Sequence, residues 1–177
     1  TQKLIDDGVK NICEASFSYD GCFCSVDILR NLGNKKVELY EVKSSTSVHW
    51  IYEHDVSYQH YVLTKLGYDV QKVCLVHIDN TYVRHGDLEL DKLFKIVDLT
   101  ELAKSKLGEV EENIKKFREY LKSETEPECK VGDQCSDPYE CGYWEHCAVD
   151  VPRDDSHTVW EISRLRNKQW YYDNGYI

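Results

Sequence analysis

The sequence contains no methionine, no apolar run approaching a membrane span, no leader-like opening, and no internal repeat or low-complexity tract. Crossing a bilayer as a helix takes roughly 20 apolar residues in succession, so no membrane-spanning helix is expected in these residues and no membrane partner is expected. Without a signal-peptide pattern the secreted classes lose their support. A chain that begins at Thr1 and holds no methionine is expected to be a piece of a longer protein. Its apolar end, Trp170-Tyr171-Tyr172-Asp173-Asn174-Gly175-Tyr176-Ile177, suggests that more chain lies beyond it.

Positive charge is scarce as well. The 22 Lys and Arg stand against 32 Asp and Glu, a net charge of −10, which argues against a general affinity for nucleic acid because phosphate contacts need cations. It leaves room for one basic groove beside metal-binding acids, and Arg153, Arg164, Arg166 and Lys168 make the C-terminal stretch locally basic. What is present is an ordinary globular composition over 177 residues, enough to bury a core without covalent staples. Eight cysteines admit four disulfides, but the chain is long for a disulfide scaffold. Cys13, Cys22, Cys24 and Cys74 lie in or beside apolar runs and read as buried free thiols. A reduced, cytoplasmic setting is the expectation.

Periodicity organises the rest. Leu4, Ile5, Val9 and Ile12 recur at helical spacing, so residues 1–14 read as the tail of a helix. Strands are expected over Ala15–Tyr19 and Cys22–Leu29, split by the turn dipeptide Asp20-Gly21, and over Lys36–Lys43. Asp55–Leu66 reads as a helix with Asp55 as N-cap and Gly67 as its stop. Val70–Ile78 has the continuous apolar character of a strand buried on both faces, and Tyr82-Val83-Arg84 reads as an edge strand. Leu107, Val110, Ile114, Phe117 and Leu121 step by three and four along one helix from Thr100 to Leu121. After Pro127 periodicity stops. The expected organisation is an α/β core over residues 1–126, a mixed sheet flanked by helices, and then a cysteine-rich lobe over 127–177.

The chemistry-bearing residues gather around the third strand. Asp27 closes the apolar run Cys22-Phe23-Cys24-Ser25-Val26, and Glu41-Val42-Lys43 ends the next β-prone run. Period-two geometry puts Glu41 and Lys43 on one face of a strand with Val42 turned away, and hairpin pairing brings Asp27 near. Two carboxylates and a lysine at a sheet suit metal-dependent phosphodiester cleavage. Carboxylates hold Mg²⁺ or Mn²⁺ through oxygen, and a lysine orients or deprotonates water and offsets phosphate charge. The bland alternative is a solvated strand face.

A second group is Cys129, Cys135, Cys141 and Cys147, each separated from the next by five residues. Regular zinc modules use pairs about two to four residues apart, so the lobe is no standard zinc finger. A four-cysteine iron–sulfur cluster tolerates varied spacing, and His146 keeps a mixed-ligand zinc site open. Two local disulfides are the remaining alternative.

In order along the chain, Phe17, Asp27-Ile28-Leu29, Glu41-Val42-Lys43-Ser44-Ser45-Thr46, Asp55-x-x-x-Gln59-x-Tyr61, Tyr82-Val83-Arg84-x-Gly86 and Pro138-Tyr139-x-Cys141-x-x-x-x-x-Cys147 resemble the RecB-like nucleases of the PD-(D/E)XK superfamily. The chain is similar in particular to the CRISPR-associated RecB-like iron–sulfur exonucleases and to a related bacterial domain of unknown function, from about Ile12 to Ile177. The resemblance implies a restriction-endonuclease-like core and an Mg- or Mn-dependent deoxyribonuclease acting in repair or defence, with DNA single strands or ends as partner. It also implies metal ligation by Asp27, Glu41 and the Val42 carbonyl, catalysis by Lys43, and orientation of that lysine or of the DNA backbone by Gln59. Glu14 stands for the acid that the family carries on its first helix. Tyr61 comes sooner after Gln59 than the family's tyrosine does. In the iron–sulfur relatives one cysteine precedes the first helix and three lie near the C-terminus; here Cys135, Cys141 and Cys147 match the three, and either Cys129 completes the set in place of the upstream one or the piece has lost a ligand. Two rival readings stand beside this one: a non-catalytic nucleic-acid- or protein-binding module on a nuclease fold, and a metal or redox sensor built on the four cysteines.

Overall fold

Two short loops, Asp20-Gly21 and Asn34-Lys35, hold both of their residues at positive φ (46° and 76°, 51° and 60°), the hairpin geometry whose twist matches that of paired strands. They join β1 (Asn11–Tyr19), β2 (Cys22–Gly33) and β3 (Lys36–Lys43) into an antiparallel meander. The computed structural model describes residues 1–149, 158–162 and 164–176 and divides the chain into two units, Thr1–Lys122 and Ser123–Ile177.

The first unit is α/β: a five-stranded mixed sheet, ordered β1-β2-β3-β4-β5, flanked by helices. β4 (Asp69–Ile78) runs parallel to β3 and β5 (Phe94–Asp98) antiparallel to β4. A parallel pair needs a crossover, and α2 (Trp50–Lys65) supplies it. Gly67 ends α2 at φ 81°, with its N–H donating to the Thr64 carbonyl and the Tyr68 N–H to the Leu63 carbonyl. That paired capping pattern needs a residue that tolerates the left-handed region. Val56, Val62 and Leu63 of α2 are wholly buried against Val26, Leu29, Val37, Leu39, Val73 and Leu75 of the sheet. α4 (Thr100–Ser105) and α5 (Leu107–Tyr120) pack against α2, α4 also touching β4, and the short α3 (Leu90–Leu93) leads into β5.

Several expectations change. The helix at the start, α1, covers only Gln2–Asp6, and Ile12 and Glu14 lie in β1: Gly8, at φ 73°, breaks the helix, and sheet pairing claims residues 11–13. Tyr82-Val83-Arg84 forms no strand; the edge is β5, which pairs with β4 from Ile78↔Phe94 to Cys74↔Asp98. The single long helix is two, parted at Lys106. Asp55 is no N-cap, since α2 begins at Trp50 with His49 as its cap.

The second unit is built of a 3₁₀ turn (Asp133–Cys135), α6 (Trp144–Cys147) and α7 (Lys168–Asp173). Its small core is Val131, Cys135 and Ala148, with Cys141, Trp144, Cys147, Trp160 and Tyr172 packed around them. Arg153 of the basic C-terminal stretch, and Ile177 at the end of the family resemblance, lie outside the described residues.

Candidate functional site

The site forms where the meander opens. On β2 the inward alternation runs Cys22, Cys24, Val26 and resumes at Leu29, so its phase slips at Asp27 and Ile28. β1 slips in the same place, between Ile12 and Ala15, and Glu14 there adopts φ 51°. From the Asn34-Lys35 turn the β2–β3 ladder extends as far as Ile28↔Tyr40, and β3 continues to Lys43 supported by β4. The Val42 N–H therefore turns to a side chain, donating to Asp27 Oδ2 at 2.7 Å. Asp27 is tied to the backbone between Glu41 and Lys43.

Glu41 is buried, and both of its oxygens are engaged. Oε1 accepts from the Lys43 ammonium at 2.6 Å and Oε2 from Gln59 Nε2 at 2.8 Å. Lys43 also donates to Asp55 Oδ2 at 2.6 Å and lies 5.3 Å from the centroid of the Tyr52 ring. Tyr52, Asp55 and Gln59 come from α2, where three- and four-residue steps place them on one face. The Tyr58 hydroxyl fastens that helix to β2 by donating to the Phe23 carbonyl (3.0 Å) and accepting the Phe23 N–H (3.1 Å).

Burial dominates the electrostatics. It pushes the Glu41 carboxyl above its ordinary value, opposed by the hydrogen bonds from Lys43 and Gln59 and reinforced by the negative charge of Asp55. Burial alone would pull the Lys43 ammonium down; Asp55 and Glu41 outweigh it and the net shift is upward. The Cys24 thiol is pushed up to about 11 by burial, then by Asp55, Cys22 and Glu41. It is a protonated, inert thiol in the site's wall. Gln59 Oε1 is buried without a hydrogen-bond partner, leaving one acceptor open where its amide faces the acid pair.

Asp27, Glu41, Lys43 and Gln59 are thus linked through hydrogen bonds at one place. Glu14 and Asp27 are the two residues that the β1–β2 ladder leaves unpaired between Cys13↔Ile28 and Ala15↔Val26, and Glu14 Oε2 accepts from the Ser25 hydroxyl at 3.2 Å. Tyr61 is buried in the core, with the Lys65 ammonium 5.2 Å from its ring centroid, and takes no part. Asp55 is the member whose place the sequence alone misassigns, as a helix cap. Its position four residues before Gln59 is a usable signal, but only for a helix already under way at Trp50.

In the second unit, all four of Cys129, Cys135, Cys141 and Cys147 are free, as are the other four cysteines. Burial raises the Cys147 thiol, and the charges of Cys129, Cys141, Glu126 and Cys135 add to the shift. His146 Nε2 pairs with Glu126 at 2.6 Å. Among the described residues no group of three or more His, Cys, Asp or Glu side chains is arranged to hold a metal ion, and no helix is long and apolar enough to cross a membrane. No protein-family model matches the chain, and no curated protein or solved structure matches it.

Proposed function

We propose that the chain is a metal-dependent nuclease that hydrolyses DNA phosphodiester bonds on a restriction-endonuclease-like core, with DNA single strands or ends as substrate. The observation that carries this reading is the linked set at the open end of β2 and β3. One lysine and one glutamine amide are held on a buried carboxylate, and a second carboxylate is held on the backbone between them. The donor set fits a hard cation: the carboxylates of Asp27 and Glu41 and the Val42 carbonyl are all oxygen ligands, the kind that Mg²⁺ and Mn²⁺ take. What such a cation supplies when bound is charge against the scissile phosphate and a more acidic water.

The protein's own residues do the rest. Lys43, held cationic by its carboxylate partners, offsets phosphate charge and orients the attacking water. Gln59 fixes the rotamer of Glu41, and Asp27 locks β3 at Val42 so that Glu41 and Lys43 keep their relative placement. The experiment is cleavage of single- and double-stranded DNA with Mn²⁺ or Mg²⁺, against wild type, Asp27→Ala and Lys43→Ala. Metal-dependent cleavage by wild type that both variants lose supports the reading. Equal activity in all three means a contaminant and sinks it.

The cysteines enter as a structural proposal: Cys129, Cys135, Cys141 and Cys147 hold zinc or a 4Fe-4S cluster that pins the second unit together. Their even spacing in the sequence motivates it; among the described residues the side chains do not stand in a ligand geometry. The non-catalytic alternative gains from one observation, the internal engagement of both Glu41 oxygens. Failure of wild type to bind Mn²⁺ would favour it.

A further inference from the structure

The geometry points to Asp55 as the positioning residue that lets Glu41 take a metal, by giving Lys43 a second carboxylate to rest on. This rests on the nuclease reading above. Lys43 donates to Glu41 Oε1 and to Asp55 Oδ2 at the same 2.6 Å, so a single ammonium is shared by two acids. The two acids differ in setting: the Glu41 side chain is 7 % exposed and that of Asp55 37 %.

A cation arriving at Glu41 must displace an ammonium that already neutralises that carboxylate. With Asp55 in place the displaced Lys43 keeps a charge partner and a hydrogen bond, so displacement costs little. Without it, Lys43 has Glu41 as its one carboxylate partner in this set, and metal and lysine compete for the same oxygens. Gln59 does not relieve that competition, because it occupies Oε2 as a neutral donor and carries no charge to exchange. Asp55 makes no hydrogen bond to Glu41 or to the Val42 backbone in the site; besides the charge it presents to Glu41, its contact runs through Lys43.

The test is direct Mn²⁺ binding by the full chain, measured calorimetrically, in wild type, Asp55→Asn, Asp55→Glu, Lys43→Ala and the double variant Lys43→Ala/Asp55→Asn. Asp55→Asn should weaken Mn²⁺ binding about tenfold or more, the effect of one lost charged hydrogen bond, and Asp55→Glu should recover most of it. In the Lys43→Ala background the Asp55→Asn change should have almost no effect, since a residue acting through another shows nothing once that other is gone. Unchanged affinity in Asp55→Asn overturns the inference. An equal loss with and without Lys43 also overturns it, because Asp55 would then attract the metal directly. No Mn²⁺ binding by folded wild type removes the nuclease reading itself, and the inference with it.

Discussion

Each residue of the site does one separable thing. On the proposed nuclease reading, removing Lys43 takes away a charge opposite the reacting phosphate, so Lys43→Ala should slow DNA cleavage on the order of a hundredfold or more while leaving Mn²⁺ binding no weaker. Asp27→Ala should weaken Mn²⁺ binding itself. Single-turnover rates and calorimetry on the same preparations separate the two, and a Lys43 variant that lost the metal would contradict the assignment. His60 makes a different kind of claim. It is buried with Nδ1 unpartnered; burial lowers its pKa, the Ala103 carbonyl pulls it back up, and the Lys104 charge lowers it further. The unfolded chain therefore takes up that proton more readily than the folded one. Stability should hold above the ordinary histidine value of about 6.5 and fall as pH drops through it. Urea unfolding at pH ~7.5 and ~5.5, either side of that value, checks this, and His60→Gln should flatten the dependence; an unchanged slope in the variant would place the titration elsewhere.

At the scale of elements, α2 supplies both core residues and candidate-site residues. One side buries Val56, Val62 and Leu63, and the neighbouring side presents Tyr52, Asp55 and Gln59 to the end of β3. Leu63 is wholly buried, so Leu63→Ala should cost about 2–5 kcal/mol in urea unfolding and reduce metal binding only as far as the fold is lost. The apolar stripe of α5 does not behave uniformly. Leu107, Val110 and Ile114 pack on the core, whereas Phe117 is 64 % and Leu121 85 % exposed. Leu121→Ala should therefore change stability by no more than about 0.5 kcal/mol, although helical spacing alone ranks it with Val110. A large loss at Leu121 would show that the end of this helix is covered in solution.

Over the whole molecule, two units with separate apolar clusters make separate predictions. The first unit has a core large enough to hold itself, while the second relies on a small cluster and, under the structural proposal for the cysteines, on a metal held by four thiolates. Elemental analysis of protein prepared without oxygen should find zinc or iron bound, and replacing Cys141 and Cys147 with serine should abolish it. Stripping the metal should then raise hydrogen exchange over residues 123–176 and leave residues 1–122 unchanged. Equal protection before and after stripping would mean that the thiols serve only as packing.

Local chemistry decided much of this protein before any packing was considered. The Asp20-Gly21 turn, the strand Lys36–Lys43, the apolar run that became β4 and the stop at Gly67 all depend on residue preferences that act over a few positions. The association of Glu41 with Lys43 belongs to the same class, because strand periodicity places alternate residues together. Tertiary structure decided what needed a partner distant in sequence. Residues 11–13 pair with Ile28–Arg30 and so leave the helix that their spacing suggested, and Phe94–Asp98 becomes a strand because β4 offers an unpaired edge. Asp55, a favourable cap by its chemistry, lies inside α2 because the helix already begins at Trp50, and its carboxylate there meets the ammonium at the end of β3. That charge pair forms across the fold, between residues twelve apart in sequence on different elements, and no window of neighbouring residues contains that information.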